Sequence, residues 1–271
     1  SGILSHMTFK HIDIHSHLNF TQFDEDREAI IAEMKEMGMA TICVGTDKKT
    51  SAESVELASK HDNIYATIGI HPTHLEEQET RHEARGDFFD EKYYESLLGP
   101  KVVAVGECGL DYFRPPFNAE KQKELFVQQI EFAQKHQLPL MLHCRASKGT
   151  QDAYEEALEI LSAYPDLKGN FHFFAGDVAV AQSAINRGFT LSFDGPVTFT
   201  SDYDETIKSI PADMIMAETD APFAAPVPHR GKRNSPLFVP FISDRLADIR
   251  GEDREAFRAQ TIENAKRVFG L

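Results

Sequence analysis

Eight short apolar runs, separated by longer amphipathic stretches, constrain this chain more than any other feature. They cover residues 12–14, 41–44, 65–70, 102–105, 140–142, 170–174, 189–193 and 214–217. Short, largely apolar runs fit strands buried on both faces. Helix candidates lie between them, at residues 24–37, 51–61, 87–97, 118–136, 151–163, 178–187 and 202–207. Ile30, Ile31, Met34 and Met37 fall on one helical stripe, and Leu125, Phe126, Gln129 and Phe132 on another. Gly38 and Gly188 stand where helices would stop. Alternating strands and helices imply parallel strands joined by right-handed crossovers. Two architectures satisfy that rule, a closed eight-stranded barrel and an open doubly wound sheet. Residues 221–240 carry Pro222, Pro226, Pro228, Pro236 and Pro240 and predict a long ordered loop after strand eight.

Composition removes other classes. Of 271 residues, 41% are hydrophobic, too many for a disordered chain. No apolar run approaches the roughly 20 residues that span a bilayer. Lys and Arg total 28 against 43 Asp and Glu, a net charge of −15, which argues against a protein that coats nucleic acid with its whole surface. A barrel of this kind folds as one unit of roughly 250 residues, so residues 7–271 read as a single domain. Residues 1–6, including His6, read as a cloning remnant ahead of Met7. Cys43, Cys108 and Cys144 lie in or beside apolar runs without Cys-x-x-Cys spacing and read as buried free thiols. With no visible signal peptide, cytoplasmic residence is the expectation.

The strand ends decide between the two architectures. Strand one leads into Asp13-Ile14-His15-Ser16-His17, where alternation puts Asp13, His15 and His17 on one face. Strand four leads to Glu107, strand five to His143, strand six carries His172, and strand eight leads to Asp220. Five of eight strands thus present metal-competent residues near their C-terminal ends. That is the catalytic face of a (β/α)8 TIM barrel. Only closure brings strand eight beside strand one, so the set favours the barrel. Six ligands, His15, His17, Glu107, His143, His172 and Asp220, exceed the needs of one catalytic zinc. They suit two divalent ions bridged by Glu107, with Asp13 orienting a ligand from behind.

These motifs identify a resemblance. The stretches Asp13-Ile14-His15-Ser16-His17-Leu18, Gly69-Ile70-His71-Pro72 and Gly106-Glu107-Cys108-Gly109-Leu110-Asp111-Tyr112 resemble the TatD-type metal-dependent deoxyribonucleases, among the amidohydrolase-like barrels. So do Leu142-His143-Cys144-Arg145, Phe171-His172-Phe173-Phe174-Ala175-Gly176, Glu218-Thr219-Asp220-Ala221-Pro222 and Pro228-His229-Arg230-Gly231-Lys232-Arg233-Asn234. The resemblance implies hydrolysis of DNA phosphodiester bonds with two divalent metals, Zn, Mg or Mn. It places His15, His17, Glu107 and Asp220 on one metal and Glu107, His143 and His172 on the other. Thr73-His74, the acidic stretch 76–91 and Asp194-Gly195-Pro196 depart from the family pattern.

On this reading Glu107 and Asp220 are catalytic, Asp220 taking the proton of the attacking water. Candidate phosphate contacts are Arg145, two residues after a ligand, Arg114, just past the motif at residues 109–112, and Lys232 and Arg233, since residues 221–243 hold no acidic residue. His71 and His74 are candidate substrate contacts. DNA is the expected substrate, single-strand ends favoured, with no membrane and no obligate protein partner. Alternatives are another hydrolase on the same barrel, such as aminoacyl-tRNA deacylation, and a non-catalytic metal-binding protein.

Overall fold

The computed structural model describes residues 9–75 and 89–271. Residues 1–8, the first two residues of the helix expected at 87–97 and most of the acidic stretch 76–91 lie outside them. The strands are β1 (His11–Ser16), β2 (Met39–Val44), β3 (Ile64–Ile68), β4 (Val102–Asp111), β5 (Leu140–Arg145), β6 (Gly169–His172), β7 (Phe189–Phe193) and β8 (Ile215–Ala217). Every sequential pair from β1 to β8 is parallel, in the order β1-β2-β3-β4-β5-β6-β7-β8. The helices among the described residues are α1 (Arg27–Glu36), α2 (Lys48–Lys60), α3 (Glu91–Leu97), α4 (Ala119–His136), α5 (Asp152–Leu161), α6 (Val178–Asn186), α7 (Asp204–Ser209), α8 (Val239–Arg250) and α9 (Arg254–Phe269). This is a nearly closed (β/α)8 barrel.

Closure is made by side chains and single backbone bonds, because β8 is only three residues long. Ser16 bridges Ala221 in parallel register. His17 N–H donates to Ala221 O at 2.7 Å, and Asp220 N–H donates to His15 O at 2.9 Å. Helix α9 packs on both β1 and β8 and covers this seam. Its Ile262, Ala265 and Phe269 join a buried cluster with Ile12, Ile14, Ile42, Met141 and Met216.

Local chemistry sets the helix starts. Asp47 caps α2 by accepting from Thr50 N–H, while the Thr50 hydroxyl oxygen accepts from the Asp47 N–H, a reciprocal capping box. Asn118 caps α4, Asp177 caps α6 and Asp253 caps α9.

Two expectations change. Strand four does not stop at residue 105 but runs to Asp111, so Glu107 lies within the strand. The proline-rich segment is not irregular throughout, since Pro236 opens a short 3-10 turn and Pro240 sits in the first turn of α8, where a missing N–H costs nothing. All three cysteines are free and buried. No helix among the described residues is long and apolar enough to cross a membrane.

Candidate metal centre

The backbone first brings β4 against β5. Gly106 and Gly109 flank Glu107, both with φ in the region that L side chains rarely adopt, +154° and +140°. A Cβ on Gly106 would meet Met141 O at 2.4 Å, and one on Gly109 would meet His143 O at 2.0 Å. Only glycine permits this approach, and it lays Glu107 beside the His143 side chain.

Glu107 then faces two ways. Its Oε1 lies 2.9 Å from His143 Nδ1, 2.8 Å from His172 Nε2 and 3.4 Å from His71 Nε2. Its Oε2 lies 3.6 Å from both His15 Nε2 and His17 Nε2. Asp220 Oδ1 completes the second set, 3.6 Å from His15 Nε2 and 3.4 Å from His17 Nε2, and the two imidazole nitrogens are 3.3 Å apart. Nitrogen and oxygen donors tetrahedrally placed about 2.1 Å from an ion have edges of about 3.4 Å. Five separations among the His15, His17, Glu107 and Asp220 donors, 3.3–3.6 Å, lie close to that edge. His15, Glu107 and His172 also converge within 4.8 Å, so the sets are contiguous.

The outer imidazole nitrogens show which way the lone pairs point. His143 Nε2–H donates to Asp111 Oδ2 at 2.9 Å, His172 Nδ1–H to Glu218 Oε1 at 3.2 Å, and His17 Nδ1–H to Val44 O at 3.1 Å. An acceptor on the outer nitrogen fixes the proton there and turns the inner lone pair toward the centre. Inner nitrogens and carboxylate oxygens at 2.8–3.6 Å would repel with nothing positive between them. The donor set therefore fits divalent cations. His15 is the exception, because its buried Nδ1 has no partner among the described residues.

The charges agree. Burial alone would raise the Glu107 pKa, but the imidazoles of His172, His71 and His143 hold it well below the usual carboxylate range. Burial likewise opposes protonation of His172, yet Glu107 and Glu218 lift its pKa well above the ordinary value. His143 and His17 are also raised against burial, by Asp111 with Glu107 and by Asp220 with Glu107. Asp220 is lowered against burial by His17 and His15. His15 is lowered by burial and by His172. Protons thus balance the carboxylates, and a binding cation would displace them.

Asp13 does not touch the His15 ring. Its carboxylate accepts from Thr219 N–H at 2.9 Å, Thr219 Oγ1–H at 2.6 Å and His15 N–H at 3.2 Å. It clasps the end of β1 to the residues after β8, and so sets Asp220 opposite His15 and His17. Asp220 itself has φ +53°, a left-handed conformation that Asp tolerates better than most residues.

Sequence comparison matches the description "TatD related DNase" over residues 12–270. A Bacillus subtilis protein named "Uncharacterized metal-dependent hydrolase YabD" is 36% identical over 265 residues, covering 96% of this chain and 98% of its own. An Erwinia amylovora protein named "3'-5' ssDNA/RNA exonuclease TatD" is 34% identical, covering 96% of this chain and 99% of its own. The crystal structure of YJJV, a TatD homologue from Escherichia coli, superposes with a TM-score of 0.84 at 26% identity, covering 97% of this chain and 98% of its own. The chain belongs to the TatD-related DNase family. As a member it is a metal-dependent hydrolase of phosphodiester bonds.

In this TatD-family chain the centre forms the floor of a cleft of about 1260 Å³. His71, His74, Arg114 and Arg145 line it. His71 Nδ1 caps a 3-10 turn by accepting from Thr73 N–H, which leaves its proton on Nε2, facing Glu107. Burial and His143 lower its pKa to about 4, so it faces the cleft as a neutral donor.

Lys232 and Arg233 are not brought to the cleft. Arg233 turns outward to Asp26 at 2.5 Å and to Gln22 O at 2.6 Å, and its guanidinium lies over Phe23. Arg233 faces the start of α1, where Asp26 lies, while Arg230 lies over Phe199. Glu91, Glu95 and His136 also cluster, but Lys135 lies 2.6 Å from both carboxylates, so this is an ion-pair network on the outer helices.

Asp111 and Glu218 have no assigned role in the sequence pattern, although both stand inside the family-like motifs. Glu218 accepts from His172, from Phe173 N–H at 2.6 Å and from Ser192 Oγ–H at 2.6 Å. The signal was a second carboxylate beside each expected ligand. Asp194, after β7, is buried with Oδ2 unpartnered among the described residues.

Proposed function

We propose that this protein is a two-cation nuclease that removes nucleotides from the ends of single-stranded DNA. One observation carries the reading: the two oxygens of Glu107 face separate donor sets, the geometry of a bridging carboxylate. His15, His17, Asp220 and Glu107 would hold one cation, and Glu107, His143 and His172 the other. Such cations supply Lewis-acid charge and lower the pKa of water, so that hydroxide is available at neutral pH.

The chain's own residues do the rest. Asp220 lines the cleft beside His15 and His17, and its carboxylate takes the proton from the attacking water. Arg114, Arg145 and Lys148 line the cleft and have no carboxylate partner among the described residues. In a chain where acids outnumber bases by 43 to 28, cations left unpaired at a cleft suit an anionic ligand. Their charge holds the phosphate and stabilises the developing negative oxygens. His71 offers a neutral N–H to the same group. A strand end, rather than long duplex, fits a net charge of −15 confined around one cationic cleft. The relatives named as ssDNA/RNA exonucleases support the substrate class.

The test is digestion of end-labelled single-stranded and duplex DNA by metal-depleted protein reloaded with Mn, Mg or Zn. Stepwise shortening from one end, faster on single strands and abolished by chelator, is expected. Release that is independent of metal, or random internal cleavage, contradicts the proposal.

A further inference from the structure

Five phenylalanines among the described residues leave more than a third of their surface in water: Phe113, Phe117, Phe199, Phe223 and Phe241. Three of them, Phe113, Phe117 and Phe223, line the one cleft that holds the metal centre. An exposed ring forgoes the gain of burial and, clustered at a cleft, marks a binding face. Their placement is ordered. Phe223 is 48% exposed and sits over the His17–Asp220 side, edge-on to His17 at 6.1 Å and to Phe20 at 6.4 Å. Phe113 is tied to the other side, its N–H donating to Asp111 Oδ1 at 3.0 Å, and Asp111 holds His143. One face of Phe113 carries the Arg145 guanidinium, 3.8 Å from the ring centroid.

We infer that Phe223 and Phe113 are base-stacking platforms that receive the unpaired bases on either side of the scissile phosphate. This rests on the nuclease reading and deepens it. Phe223 stands by His17 and Phe113 by the Asp111–His143 pair, and Glu107 reaches both His17 and His143, so a strand crossing Glu107 sets one base toward each ring. Arg145, which lies over Phe113, and Arg114 and Lys148, which also line the cleft, take the neighbouring phosphates. Aromatic faces stack on any base without reading sequence, and only splayed, unpaired bases offer them a free face. Single-strand preference then follows from the cleft wall, not from the metal centre.

The test is steady-state cleavage by Mn-loaded enzyme of a single-stranded oligonucleotide and of the same oligonucleotide with abasic sites flanking the cleaved bond. One base–aromatic stack is worth about five- to a hundredfold. Phe223→Ala and Phe113→Ala should each lower kcat/KM about tenfold through KM on the normal strand. On the abasic strand, which lacks both stacks, the unaltered enzyme should already show the two losses combined, about a hundredfold, and either substitution should add less than twofold. Phe223→Trp should restore the normal value, which separates stacking from misfolding. Variants that match the unaltered enzyme on the normal strand, or lose as much again on the abasic one, overturn the platforms while leaving the nuclease reading intact. Unaltered enzyme that cleaves neither strand overturns the nuclease reading and the platforms with it.

Discussion

His143 and His172 reach Glu107 from paired positions on neighbouring strands of a continuous ladder, whereas His15, His17 and Asp220 meet across the seam that no ladder closes. On the ladder side, backbone register does the placing, and Asp111 and Glu218 only turn the rings. On the seam side, single hydrogen bonds and the Asp13 clasp on Thr219 do what a strand pair would do elsewhere. The ladder half therefore keeps its backbone placement when one side chain is lost, and the seam half does not. The two halves share the Glu107 carboxylate, and the His15 and His172 rings stack across the join at 3.8 Å.

Removing that shared residue should have the largest effect. Glu107→Ala should cost a thousandfold or more in kcat, since cation stabilisation of transition-state charge is worth about several kcal/mol. Metal content by elemental analysis should fall from two per chain to one or none. Retention of both ions with near-normal turnover would uncouple the halves.

The next break is selective. Asp111→Ala should weaken cation binding on the ladder side by about 10- to 100-fold, the usual range for carboxylates behind metal-binding histidines, and leave the seam side alone. Asp13→Ala should do the reverse. It also strands the buried Thr219 N–H and hydroxyl, so it should lower stability by about 2 kcal/mol, read from denaturant unfolding. Equal metal loss from both sides in either variant would show that the halves are not separable.

Acid should sharpen the contrast. In the metal-free protein His143 and His172 have raised pKa values on the ladder side, while the seam pairs a raised His17 with a lowered His15. A raised pKa means that more protons must leave before a cation enters, so affinity rises with pH through that value and falls below it. As pH drops from 8 to 6, the ladder-side cation should dissociate first. A calorimetric titration across that range reads the order. Loss of the seam-side cation first would reverse the assignment of charge.

The smallest effect should come from the loop once expected to grip phosphate. Lys232→Ala should leave KM and its salt dependence unchanged, and Arg233→Ala should cost only about 0.2–1 kcal/mol of stability, as exposed ion pairs do. Arg145→Ala, in the cleft, should raise KM severalfold and flatten the salt dependence.

The ladder half was legible because a polar residue at the end of an apolar run has few innocent explanations. Glu107, His143 and His172 each interrupt such a run, and the structure brings them together. The seam half was legible only through His-x-His alternation and the assumption of closure. The Asp13 clasp could not be read, because its partner lies 206 residues away and an Asp beside a His suggests an orienting role by itself. Asp111 and Glu218 read in the sequence as ordinary acids, because only the fold brings them to the rings they hold. The direction of the Lys232–Arg233 loop was not legible because a local charge gap does not say which surface the loop faces. The final two helices are not legible in the sequence, because α8 begins within the proline-rich run and α9 carries Phe257, Ile262, Ala265 and Phe269 among charges.

The bridge between the halves can be measured directly. Metal-free protein titrated with Mn should develop the exchange-coupled signal of a dinuclear pair in electron paramagnetic resonance, and phosphodiesterase activity should rise in proportion to it. In Glu107→Ala only isolated Mn should be seen. Full activity reached with one Mn bound and no coupled signal would contradict a centre built on Glu107.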